Sequence, residues 1–180
     1  QTISQHKFDK KTGLFAFDRV ISTPMGYPLD YGFFPQTHCD DGDPLDGFVI
    51  INEALPQGCT VKVRPIGMIE MIDDGEQDNK LICVADDDRH YAHVKDVSDL
   101  PEYLMKEVKY FLEHYKDLRG KKVEVPAVHG RDRAIEEVKL SDKTAEDFCL
   151  EMNMLIETKI KLHPSEYLWQ HRRFKSTLGK

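Results

Sequence analysis

The chain has 180 residues, enough for one domain with a single substantial core, and carries a formal charge of −7 with a pI near 5.6. That acidic balance argues against a nucleic-acid partner, because phosphate backbones select basic faces. The charge is uneven: residues 159–180 hold six Lys or Arg against Glu166, a net +5, which leaves −12 on residues 1–158. Cys39, Cys59, Cys83 and Cys149 are widely spaced with no C-x-x-C pair, so neither a zinc site nor a disulfide framework is expected and reduced thiols in the cytoplasm are the simplest assignment. No apolar run approaches the roughly 20 residues that span a bilayer.

In chain order, Lys10-Lys11-Thr12-Gly13 reads as a hairpin turn into a β-prone segment, Leu14 to Val20. Pro24, Gly26, Pro28 and Gly32 punctuate the next stretch and place Tyr27 and Tyr31 in a loop or short strand. Asp41, Asp43 and Asp46 then set three carboxylates beside Gly42 and Pro44. Two like charges about 4 Å apart repel by roughly 1 kcal/mol in water and about 4 at an effective dielectric of 20, so such a cluster wants a cation. Oxygen-only donors suit Mg²⁺, Mn²⁺ or Ca²⁺. A solvated acidic turn is the bland alternative. The apolar run Phe48-Val49-Ile50-Ile51 that follows favours acids at a core edge, and the spacing excludes an EF-hand.

Further strands are expected at 45–52, 60–66, 67–73 and 80–86, a compact antiparallel pattern with turns at Pro56-Gln57-Gly58 and at Asp73 to Asn79. A helix follows near 100–116, capped by Ser98 or Asp99, with Leu104, Val108, Phe111, Leu112 and Tyr115 on one face. A short strand at 122–126 precedes a second helix near 142–162, capped by Ser141 or Asp142. Phosphate chemistry also needs cations and hydroxyls facing the acids, and Arg19, Lys80, Lys116, Tyr31 and Tyr115 are available. Singly, each has a structural explanation: a salt bridge for Arg19, a solvated helix end for Lys116, satisfied core hydroxyls for the tyrosines.

The run Asp41-Gly42-Asp43-Pro44-Leu45-Asp46 resembles the D-G-D-P-x-D motif of family I soluble inorganic pyrophosphatases. Lys11 to Leu14, Asp18-Arg19, Tyr27-Pro28, Tyr31-Gly32, Arg64 to Gly67, Asp73, Asp78 with Lys80, His93 with Lys95-Asp96, and Phe111 to Leu118 extend the resemblance in order and spacing over about residues 8–126. It implies a mainly β fold with flanking helices (α+β), an OB-like five-stranded β-barrel, over a domain of residues 1–140. It also implies a homo-oligomer, a hexamer in the prokaryotic branch, that hydrolyses pyrophosphate with Mg²⁺. By position, Asp41, Asp46, Asp73 and Asp78 resemble the metal ligands and Asp43 the base acting on the attacking water. Arg19, Tyr31, Lys80, Tyr115 and Lys116 resemble the phosphate-holding groups.

Two departures stand out. A family strand bearing a glutamate has no counterpart ahead of Gln5, and the family's Lys-x-Glu pair is replaced by Gln5 and Lys7. The lysine holds phosphate and the glutamate supports the site in the family, so impaired hydrolysis with retained metal binding is expected, the chain then serving as a binding module for phosphate, nucleotide or a protein partner. The segment His163 to Lys175 resembles the end of lipid A acyltransferases, and His38 with Asp43 fits their H-x4-D spacing, though Asp43 already belongs to the longer motif. Trp169 among Arg172, Arg173 and Lys175 could meet an anionic membrane, but packing of this 141–180 tail on the acidic body is the preferred expectation.

Overall fold

The computed structural model describes residues 4–9, 12–39 and 43–141. Two strands, β1 (Ser4–Asp9) and β2 (Leu14–Val20), form an antiparallel ribbon closed by Thr12 and Gly13. Gly13 sits at φ 70°, where a side chain would be strained. A mixed sheet holds the other strands: β3 (Asp30–Phe33), β4 (Asp46–Ile50), β5 (Val63–Asp73), β6 (Glu76–Gln77), β7 (Lys80–Ala85) and β8 (Val123–Gly130). Its order is β3-β4-β7-β5-β6, with β8 also paired to β5. Helices α1 (Glu102–His114) and α2 (Arg131–Ser141) pack against it.

The mainly β architecture with helices agrees with expectation, and four details differ. Six strands form the sheet, and among the described residues it does not close into a five-stranded barrel. The pairing is not uniformly antiparallel, since β4 runs parallel to β7 with Asp46 beside Lys80. The expected break at 66–67 is absent: β5 is one strand, and Pro65, which lacks an N–H for the ladder, is absorbed by a register shift between Pro65 and Gly67. Helix α1 begins after Pro101 with no side-chain cap, because the Asp99 carboxylate accepts from the Lys95 and Asp96 amides instead. The helix expected near 142–162, its Asp142 cap and the 163–175 tail lie outside the described residues. Ser141 is no N-cap; it lies in α2, a helix without a sequence expectation.

Two clusters make the core. The larger joins Phe48, Ile50, Ile66, Ile69, Met71, Ile82 and Val84 to Val108, Phe111 and Leu112 of α1, confirming the face its spacing predicts. The smaller holds Leu45, Met68, Leu81 and Cys83 beneath Ala134 of α2. Burial pushes the Cys83 thiol up to about 12, an inert group. Each fully buried side chain stabilises by about 1.5–3 kcal/mol relative to exposure. The two clusters sandwich the sheet, so the residues at one end of β4, β5 and β7 stand on a fixed base.

Candidate active site

The site forms where β4 and β7 begin and β5 ends. Parallel pairing puts Asp46 and Lys80 side by side, and Lys80 Nζ donates to Asp46 Oδ2 at 3.1 Å and to Asp78 Oδ1 at 2.5 Å. Only 5% of the Lys80 side chain is exposed. Burial alone would lower its pKa, but the charges of Asp46 and Asp78 and their hydrogen bonds outweigh burial and hold it above the ordinary lysine value. Lys80 therefore stays an ammonium. Gly47 follows Asp46 because β4 runs tight here: a Cβ would lie 2.9 Å from Phe34 Cε2 and 3.0 Å from the Leu81 carbonyl oxygen.

Asp73 ends β5 at a two-residue turn, Asp74-Gly75, both at positive φ, the Asp-Gly signature of a type I′ hairpin. Lys116, just past α1, ion-pairs with Asp73 Oδ2, and both side chains are largely buried, so Lys116 is not a solvated helix end. Asp73 Oδ1 is buried and has no hydrogen-bond partner among the described residues. A buried carboxylate oxygen left in that state costs about 1–3 kcal/mol, a deficit that a bound cation would remove.

Aromatic rings join the two halves. Tyr31 Oη donates to Asp46 Oδ2 at 2.6 Å, and Tyr27 packs between Tyr31 (5.1 Å between centroids) and Phe111 (4.8 Å). Phe111 stacks on Tyr115 at 5.2 Å, and Lys116 Nζ lies 5.1 Å from the Tyr115 centroid. Burial first raises all three phenols; Tyr115 and then Asp46 add to it at Tyr27, Asp46 at Tyr31, and Asp73 and Asp78 at Tyr115. All three remain neutral donors at neutral pH. Arg19 ion-pairs with Asp18 at 2.5 Å, which raises its pKa, and it is close enough for its charge to act on Tyr27 and Tyr115.

Asp43 lies in the loop between β3 and β4, exposed, its carbonyl accepting from the Cys39 amide at 2.9 Å. Thr37 staples this loop: its hydroxyl donates to the Phe34 carbonyl at 2.7 Å and accepts from the Leu45 amide at 2.8 Å. Asp41 lies outside the described residues, as do the side chains of Gln5 and Lys7. The structure thus gathers Asp46, Asp73, Asp78, Lys80, Lys116, Tyr31, Tyr115 and Arg19 into one neighbourhood. Among the described residues, however, no three metal-capable side chains stand together as a ready cluster; Lys80 pairs with Asp46 and Asp78, and Lys116 with Asp73. Sequence reasoning gives no role to Tyr27, Asp18 or Thr37. Tyr27, four residues before Tyr31 of β3, was the available signal for the first.

Such a site, carboxylates laced with fixed cations and neutral phenols on a mainly β frame, defines a protein that handles a multiply charged anion. The chain belongs to the inorganic pyrophosphatase family, whose sequence model matches residues 2–146. It is 45% identical over 122 residues to an inorganic pyrophosphatase of Synechocystis, a stretch covering 68% of this chain and 72% of that protein. To the Geobacillus stearothermophilus inorganic pyrophosphatase it is 42% identical over 131 residues, covering 73% and 79%. The crystal structure of the Thermus thermophilus inorganic pyrophosphatase superposes with a TM-score of 0.78 at 36% identity, covering 81% of this chain and 85% of that one. The likeness of residues 163–175 to acyltransferases finds no support in these relatives.

Proposed function

We propose that this chain hydrolyses inorganic pyrophosphate to two phosphates with the help of Mg²⁺. The observation that carries the reading is the interleaving of Lys80 with Asp46 and Asp78 next to the Lys116–Asp73 pair. The donors fit a hard divalent cation: all are carboxylate oxygens, and Asp73 Oδ1 is buried with no partner among the described residues. Asp41, Asp46, Asp73 and Asp78 would hold it. When bound, Mg²⁺ supplies charge for the phosphate oxygens and makes a bound water more acidic.

The chain's own groups do the rest. Lys80 and Lys116, released from their carboxylates, and Arg19 balance charge on the non-bridging oxygens. Tyr31 and Tyr115, kept neutral, donate hydrogen bonds to those oxygens. Asp43, exposed at the loop tip, accepts a proton from the attacking water, a contribution of about 10²–10⁴ in rate. The free thiols Cys59 and Cys83 suit the cytoplasm. Exposed Leu14, Phe17, Val20 and Tyr110 supply apolar surface for a homo-oligomer, a hexamer by resemblance.

A second reading keeps binding and reduces catalysis, and it is favoured by Gln5 and Lys7 in place of the family's Lys-x-Glu pair. The discriminating experiment is phosphate release from pyrophosphate with and without Mg²⁺, beside Mn²⁺ binding by the same protein. Metal-dependent release supports hydrolysis. Tight Mn²⁺ binding without release supports the impaired module.

A further inference from the structure

Along β7 and the residues just before it, side chains alternate between two faces. Lys80 meets Asp78 and Asp46 on the site face. Leu81 packs on the opposite face, in the smaller core cluster beneath α2, and Asn79 meets α2 on that same side. Asn79 Nδ2 donates to Glu137 Oε1 of α2 at 2.8 Å, and Asn79 Oδ1 lies 3.4 Å from the Met71 amide of β5. Asn79 is 7% exposed, so its amide has no water to replace these partners. The Asp78 amide bonds the Met71 carbonyl at 2.9 Å, which ties the same short segment to β5.

Helix α2 reaches the acidic loop as well. The Ser141 carbonyl accepts from the His38 amide at 3.3 Å, and Leu45, adjacent to Asp46, packs in the cluster that Ala134 covers. One helix thus braces, from behind, the segments carrying Asp43, Asp46, Asp78 and Lys80. Its N-terminus is itself fixed, since Asp96 accepts from the Arg131 amide at 2.7 Å.

We propose that Glu137 and Asn79 are a positioning pair: the hydrogen bond from α2 sets residue 79 so that Asp78 and Lys80, one residue to either side, meet metal and phosphate in register. This rests on the reading of Asp78 and Lys80 as site residues. Glu137 also ion-pairs with Arg133 at 3.2 Å, so its charge and its acceptor oxygen have separable roles. Glu137→Gln keeps an acceptor for Asn79 and discards the charge. Glu137→Ala discards both.

The test measures kcat for pyrophosphate and, separately, Mn²⁺ affinity of the metal-free protein by electron paramagnetic resonance, with Tm recorded for each variant. Glu137→Ala and Asn79→Ala are expected to lose about tenfold or more in kcat and about tenfold in Mn²⁺ affinity, as misplacement and lost outer support do elsewhere. The double variant is expected to be no worse than either single one, and Glu137→Gln to stay within about twofold of wild type. If Glu137→Ala does not fold, Asn79→Ala and Glu137→Gln carry the same readouts. Singles that lower only Tm, with kcat and Mn²⁺ affinity unchanged, overturn the pairing, as do additive losses or a Glu137→Gln as impaired as Glu137→Ala. An inactive wild type that still binds Mn²⁺ counts against hydrolysis while the affinities decide on the pair. A wild type that does neither removes the reading on which the pair rests.

Discussion

The two β units hold opposite halves of the site on unequal foundations. Asp46, Asp73 and Lys80 rise from strands whose other residues, such as Phe48, Ile82 and Met71, are fully buried. Arg19 rises from β2, which leaves Leu14, Phe17 and Val20 largely exposed, in a ribbon that touches the body at points such as Phe15 of β2 against Gly58 and His6 of β1 to Gln57 at 3.1 Å. Isolated two-stranded ribbons are marginal. The acidic half is therefore set by the buried core, whereas the Arg19 half stands on a ribbon with more exposed apolar side chains.

The largest expected effect that tests this difference is in the core. Phe48→Ala should cost about 3–5 kcal/mol of unfolding free energy, while Phe17→Ala, at 62% exposure, should cost less than about 0.5. Urea unfolding of both variants checks it, and comparable losses would erase the distinction. Next comes Lys80→Met. Breaking a fully buried pair costs about 3–5 kcal/mol, but Asp46 and Asp78 are each nearly a third exposed, so about 2 is expected. The raised pKa of Lys80 fixes the sign with pH. Its contribution is complete below about 10.5, the ordinary lysine value, and is lost as pH rises through the higher folded value. The gap between wild type and Lys80→Met should therefore narrow in alkali, and a gap that persists undiminished at a pH that neutralises Lys80 would contradict the pairing.

The smallest of these effects falls on the ribbon. Backbone register sets Gln5 opposite Arg19. If the resemblance correctly assigns phosphate contact to position 5, Gln5→Lys should raise kcat/KM about tenfold, the worth of one charge-assisted hydrogen bond, with little change in Tm. Unchanged kinetics would remove position 5 from the site.

Much of this was legible in the chain because some signals are local. Asp74-Gly75 announces its turn, and Val108, Phe111 and Leu112 announce the buried face of α1. Helix α2 was not legible: its described turns are highly charged and among them only Ala134 and Ser141 are buried, so tertiary anchors such as Asp96 and Asn79 define it. The parallel pairing of β4 and β7 joins strands separated by all of β5 and β6, and no periodicity reports such a pairing. At the site, the acids and cations could be named from the motif. That Lys80 and Lys116 would neutralise Asp46, Asp78 and Asp73 depends on register and burial, which spacing does not contain.

The most direct test of the central claim is Mg²⁺-dependent phosphate release from pyrophosphate by the wild-type chain beside Asp43→Asn. The account predicts release that disappears on chelation and falls by about 10²–10⁴ in the variant, with Mn²⁺ affinity changed far less. Equal release by both proteins would contradict the role given to Asp43, and no release by either would contradict the activity.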